Sequence, residues 1–240
     1  MFAKTIVGAF AYANFYKVSL FKVTLIPVLM MLGLEVLSDY VTSSSSLSLF
    51  NLLATGILQT VMALNICRVV LLGPDAVPTW GRYSLGRSEF KVIKMMFLLG
   101  ACAGLGALIY SVLLLILETT TAISHLVIVV ISALFWAPAV IFGSRLLLVI
   151  PAISVDHMMT LTEAWEKTKS KTAYMFGIMI IFMLITIPVA VILPQIGFPS
   201  PAISLICYYV GIVSTIALCL AYQLIMRHEQ SEAEVPASQE

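Results

Sequence analysis

Six long runs of predominantly apolar residues, at 18–41, 47–72, 95–117, 123–150, 173–193 and 201–226, divide the chain. A helix needs about 20 such residues to cross the hydrocarbon layer of a membrane, and each run is long enough. The runs are apolar all round rather than along one stripe. That excludes a helical bundle dissolved in water, which would need a polar face on most of its helices. The pattern therefore predicts an all-α integral membrane domain over residues 1–228 with six transmembrane helices.

The connections between runs alternate in character. Asp39 to Thr42 with Ser43 to Ser46, Glu118 to Thr121, and Pro194 to Pro199 are short, polar or rich in proline and glycine, and none contains Lys or Arg. All 13 basic residues fall on the other side: Lys4, Lys17, Lys22, Arg68, Arg82, Arg87, Lys91, Lys94, Arg145, Lys167, Lys169, Lys171 and Arg227. Positive charge resists translocation, so this partition predicts a multi-pass protein with both termini in the cytoplasm. The composition agrees, at 61% hydrophobic and 10% charged residues with a mean hydropathy of +1.06, far from the make-up of soluble domains.

Two terminal features change little. Lys4, the apolar Thr5–Phe10 and the triplet Ala11-Tyr12-Ala13 resemble a signal peptide, but the apolar core is too short and no cleavage is expected. Residues 229–240, rich in Glu, Ser, Pro and Gln, have nothing to bury and are expected to form a disordered cytoplasmic tail.

An internal repeat organises the six runs further. The second ends Cys67-Arg68-Val69-Val70-Leu71-Leu72-Gly73-Pro74-Asp75, and the fourth ends Ser144-Arg145-Leu146-Leu147-Leu148-Val149-Ile150-Pro151, with Asp156 soon after. Arginine precedes proline by six residues in both, and the arginines are 77 residues apart. Charged segments, Val77 to Lys94 and Ile153 to Thr172, then lead into the next run, and the stretch with Asn14, Tyr16, Lys17 and Lys22 holds the same place before the first. The expected unit is a cytoplasmic interfacial amphipathic helix followed by a helical hairpin, three times over, with the proline ending the span.

The segment after Arg145 shows the unit best. Thr160 and Glu163 have the spacing of a capping box. Leu161, Ala164, Trp165 and Thr168 then fall on one helical face, with Glu163, Glu166, Lys167, Lys169, Ser170 and Lys171 on the other. Such a helix lies at the membrane surface with Trp165 among the headgroups, and Glu163 with Lys167 forms an i,i+4 pair. The candidate lipid- or partner-binding residues are Arg68, Arg87, Lys91, Lys94, Arg145, Trp165, Lys167, Lys169 and Lys171. Anionic headgroups attract such residues, although orienting the hairpins alone would also require them. Arg68 and Arg145 lie inside apolar runs, where an arginine must snorkel to the headgroups or find a partner; the candidates are Asp75, Asp156 or a lipid phosphate.

Glu35, one turn before Asp39 at the end of the first run, is the single acid lying well inside a run, placed either as an interfacial carboxylate or as a coupling-ion site. Gln59, Asn65, Ser132, Ser204, Ser214, Thr215, Tyr222 and Gln223 suit interhelical hydrogen bonds, and Gly100 with Gly104, beside Ala103 and Ala107, predicts close packing of the third span on a neighbour. Pro138 and Pro188 are expected to kink their helices. Cys67, Cys102, Cys207 and Cys219 show no ligand spacing and read as small hydrophobes, and His125, His157 and His228 are dispersed. No catalytic, metal or cofactor constellation emerges, and nucleic-acid binding has no support.

The segments ALNICRVVLLGP (63–74), LGRSEFKV (85–92) and RLLLVIPAISVDHMMTLTEAWEKTKSK (145–171) resemble a group of bacterial six-helix inner-membrane proteins. That group includes the YciC type and the membrane domain attached to some glycerophosphodiester phosphodiesterases. The resemblance implies a bacterial inner-membrane protein; the phosphodiesterase barrel is absent, so that activity does not carry over. The expected function is a non-enzymatic scaffold, assembly or lipid-interacting component of the envelope, with membrane lipids, a membrane-protein partner or a second copy of the chain as partners. The alternative is a small transporter or channel using the bundle interior.

Overall fold

The computed structural model describes residues 2–40, 45–83, 86–120, 125–157 and 159–234, and these are all helix, turn or irregular chain. Six helices are long and apolar enough to cross a membrane, so this is a multi-pass membrane protein. They are α2 (Lys17–Tyr40), α3 (Ser45–Leu72), α4 (Arg87–Thr120), α5 (His125–Leu146), α8 (Thr172–Gln195) and α9 (Ser200–Glu234). Three shorter helices accompany them: α1 (Phe2–Phe15), α6 (Val149–Ser154) and α7 (Leu161–Lys167). Of the turns expected at 39–46 and 118–121, residues 41–44 and 121 lie outside the described residues.

The helices meet mainly at the end that carries the basic residues. Buried Met62, Leu64, Ile66, Cys67, Val69 and Val70 of α3, Leu148, Val149, Ile150 and Ala152 around α6, Met175, Ile178 and Phe182 of α8, and Val213, Ile216, Ala217, Cys219, Ala221 and Ile225 of α9 form one apolar core. Helix α1 joins it through Thr5, Ala9 and Ala13, small residues that let it pack closely on α9 and α8. Tyr12 Oη of α1 donates to the Val69 carbonyl at 3.0 Å, and Thr5 Oγ1 is hydrogen-bonded to Tyr174 Oη at 2.7 Å. Beyond this core α2 packs along α3 and α8 along α9. Helix α4 is exposed along most of its length past Met95 and meets α5 through Tyr110, Ser132, Phe135 and Trp136.

Several expectations need correction. Pro151 does not end the fourth span: α5 stops at Leu146, and Pro151 sits in the first turn of α6, where a missing N–H costs nothing. Pro74 likewise opens a 3-10 turn at Pro74–Ala76, and the stop to α3 is Gly73, whose φ of 99° suits glycine. Among the described residues no separate surface helix precedes the third span. Val77 to Tyr83 are irregular, and Arg87, Lys91 and Lys94 belong to α4 itself, because nothing between Ser88 and Leu99 interrupts a helix.

Gly100 and Gly104 do not pack on a neighbouring helix: a Cβ built on either meets nothing within 4 Å. Helix α9 continues to Glu234, well into the stretch expected to lack structure, while 235–240 lie outside the described residues. Pro138 and Pro188 lie inside α5 and α8, which run through them. Cys67 and Cys219 are buried, but Cys207 is half-buried and Cys102 exposed.

Candidate functional site

The polar chemistry concentrates where α3 and α5 hand the chain to the next span. Near the end of α3, Arg68 Nη2 donates to Glu89 Oε1 at 2.7 Å, with both side chains almost wholly buried. Glu89 stands in the first turn of α4, and its other oxygen accepts from the Gly86 N–H at 3.0 Å. Gly86 is the N-cap position and Glu89 the third residue, so the carboxylate closes half a capping box while neutralising the arginine. Arg68 Nη1 is buried without a hydrogen-bond partner among the described residues.

The irregular chain between them is pinned to α3 and α2. Asn65, fully buried, donates from Nδ2 to the Arg82 carbonyl at 3.2 Å and accepts from the Arg82 N–H at 3.1 Å, as a neighbouring backbone would. Tyr83 Oη donates to the Val23 carbonyl at 3.2 Å. Burial pushes the Tyr83 phenol above its ordinary pKa, which keeps it a donor.

At the second join, Thr160 caps α7 by accepting from the Glu163 N–H at 3.2 Å, and Lys167 pairs with Glu163 at 3.5 Å. Ala164 and Thr168 are fully buried, whereas Leu161 is exposed. Arg145 donates from Nε to Thr168 Oγ1 at 3.0 Å and from Nη2 to the Trp165 carbonyl, and its guanidinium carbon lies 3.3 Å from the Trp165 ring centroid. Phe142 stacks on the same indole at 4.8 Å. Asp156, left-handed at φ 59°, ends the α6 turn, and His157 Nδ1 is 3.4 Å from Tyr222 Oη on α9.

The arginines' partners are thus neither Asp75 nor Asp156: Arg68 is met by Glu89 and Arg145 by Thr168 and Trp165, with both guanidinia almost wholly buried. Lys91, Lys94 and Lys169 are exposed, Lys167 and Lys171 are half-buried, and the side chain of Arg87 lies outside the described residues. Lys167 also reaches Met226 Sδ at 3.8 Å. The structure brings Arg145, Trp165, Lys167, Lys169 and Lys171 to one join, and Arg68, Lys91 and Lys94 to the other.

Ser204 makes the interhelical hydrogen bond expected of it, while three partners escaped the sequence pattern: Glu89 and Thr168 for the arginines, and Ser200 for Glu35. Glu35 Oε1 accepts from Ser200 Oγ at 2.9 Å and Ser204 Oγ at 2.7 Å, tying α2 to the first turns of α9. Only Glu89 carried a local signal, its place three residues after Gly86 just before an apolar run. Among the described residues no group of three or more His, Cys, Asp or Glu could hold a metal ion. Comparison with protein-family models, curated proteins and solved structures returns no match, so the resemblance carried by 63–74, 85–92 and 145–171 stands on those segments alone.

Proposed function

We propose that this is a non-enzymatic inner-membrane protein of bacterial type, with both termini cytoplasmic. It serves the cell envelope as a scaffold, assembly or lipid-interacting component. Its three pairs of spans act as hairpins, each introduced by a segment at the cytoplasmic surface: α1, the irregular chain from Val77 to Tyr83, and α7. The exposed Lys91, Lys94 and Lys169, with the exposed Trp80 and Phe90 at the same end, suit contact with anionic headgroups or a basic-face partner.

The observation that carries this reading is the character of the interior. The largest fully buried side chains are Met31, Leu64, Ile66, Leu148, Met175, Ile216, Ile225, Val69, Val92 and Val213, with Glu89 and Asn65 the polar ones. Buried Thr24, Thr60, Ser144 and Ser154 each bond a carbonyl three or four residues back. Groups satisfied within their own helix offer a solute nothing, whereas a transport path needs polar groups turned to a wet cavity.

The test is extraction into native-lipid nanodiscs followed by identification of what copurifies. A stoichiometric anionic lipid or membrane-protein partner is the expected result. Solute flux in proteoliposomes that disappears when Gln59, Ser214 and Gln223 are replaced by apolar residues would overturn the reading in favour of a transporter.

A further inference from the structure

Arg68 and Arg145 occupy matching places in the chain, but their charges are met differently. Arg68 has Glu89. Arg145 is as deeply buried, at 5% exposure, yet all its partners are neutral: a threonine hydroxyl, a backbone carbonyl and an indole face. No carboxylate is among these contacts of Arg145, whereas Arg68 has one at 2.7 Å.

A charge withdrawn from water without a counter-ion keeps most of its desolvation cost, and a carbonyl and a π-face return only part of it. Thr168, which fixes Nε, is followed at once by the 3-10 turn Lys169–Lys171, so two more cations stand next to it in the chain. A cation this buried, oriented by two hydrogen bonds and flanked by more cations, lacks one component, an anion. Guanidinium is the side chain best matched to a phosphate's oxygens.

We propose that Arg145, held by Thr168 and Trp165 and flanked by Lys169 and Lys171, binds a single phosphate anion, such as a phosphoglycerol headgroup or free phosphate carries. The other join needs none, because Glu89 takes that place. This rests on the basic-face reading above and narrows it to one guanidinium.

The experiment uses the full chain in a neutral detergent, with unfolding temperature followed on adding phosphatidylglycerol, inorganic phosphate or, as control, phosphatidylcholine. Trp165 emission in a Trp80→Phe/Trp136→Phe background reports the site directly, independent of stability. A rise of several degrees with a change in Trp165 emission is expected from a net-anionic phosphate source and not from phosphatidylcholine, whose phosphate is already balanced by its own choline cation. A response to phosphatidylglycerol alone assigns a lipid, and any response to inorganic phosphate assigns a small-anion site; both support the proposal. Arg145→Gln should weaken the apparent affinity at least tenfold, and Arg145→Lys, which keeps the charge and tolerates the site's packing better, should weaken it less. Unchanged affinity in both variants, with loss only in Lys169→Gln/Lys171→Gln, overturns the Arg145 site and leaves the basic face standing. No response to any anionic lipid in the wild type overturns both.

Discussion

Glu89 reaches back from the first turn of α4 to Arg68 in the last turns of α3, an ion pair of 2.7 Å with both partners buried. It connects two spans through side chains rather than through the loop between them. Removing one member leaves the other charged and dry, so Glu89→Ala is expected to cost about 3–5 kcal/mol. Replacing both by apolar residues of similar size, Arg68→Met with Glu89→Leu, should recover most of that loss, the more so because Arg68 Nη1 is already unsatisfied. Denaturant unfolding of the two single variants and the double in detergent decides it. A double variant no more stable than Glu89→Ala would mean that the pair is not what joins these helices.

Gly73 and Gly81 both adopt left-handed backbone, at φ 99° and 92°, but only one is crowded. A Cβ on Gly73 meets nothing within 4 Å, whereas on Gly81 it would lie 2.9 Å from Tyr83 Oη and 3.2 Å from Asn65 Nδ2. Gly73, at ψ 161°, lies in a region that only glycine populates freely, so Gly73→Ala should cost the conformational penalty alone, about 1–3 kcal/mol. Gly81→Ala should cost clearly more, because it also displaces the Asn65 clamp on Arg82 and the Tyr83 bond to Val23. Equal losses of thermal stability in the two variants would show that those contacts contribute little.

The Tyr12 phenol, raised from 10.0 to about 12 chiefly by burial and then by Tyr16 and Cys219 nearby, must stay protonated to donate to Val69. A folded-state pKa above the ordinary one means that the neutral form is favoured in the fold. Its contribution is whole below about pH 10 and is lost as pH climbs towards the folded value. Tyr83, also raised by burial, acts in the same direction. Tyr12→Phe should lower stability at neutral pH by about 1 kcal/mol and make the alkaline decline shallower, with Tyr83 accounting for what is left. Unfolding temperature between pH 8 and 11 measures it, and parallel curves for variant and wild type would refute the assignment.

The six spans were legible because apolar length is a local property, and the capping of α7 because Thr160 and Glu163 are three residues apart. The arginine partners were not. Glu89 and Thr168 lie 21 and 23 residues beyond their arginines, while Asp75 and Asp156 are nearer in the chain, and the place of Glu89 three residues after Gly86 marks a helix start rather than an arginine's partner. The prolines misled for a related reason: Arg-to-Pro spacing repeats whether proline ends one helix or begins the next, and the missing N–H is harmless only in the second case. Helix α1 shows the same limit, since a face of Thr5, Ala9 and Ala13 announces close packing only once α9 is seen beside it.

Gly104 lies on the exposed part of α4, where an added Cβ meets nothing and Ala101, Cys102 and Ala103 are exposed as well. Small residues at this spacing usually mark a helix contact, yet within one chain the contact is not made. Gly104→Leu should therefore leave the fold of the single chain intact, within about 0.5 kcal/mol of wild type and in the stabilising direction if helix propensity dominates. Unfolding of monodisperse monomer in detergent tests this, with mass determined in the same sample. A marked loss of stability in the monomer would mean that α4 packs through this face inside the chain, contrary to the arrangement described. Unchanged monomer stability together with a change in mass at high protein concentration would place the face between copies.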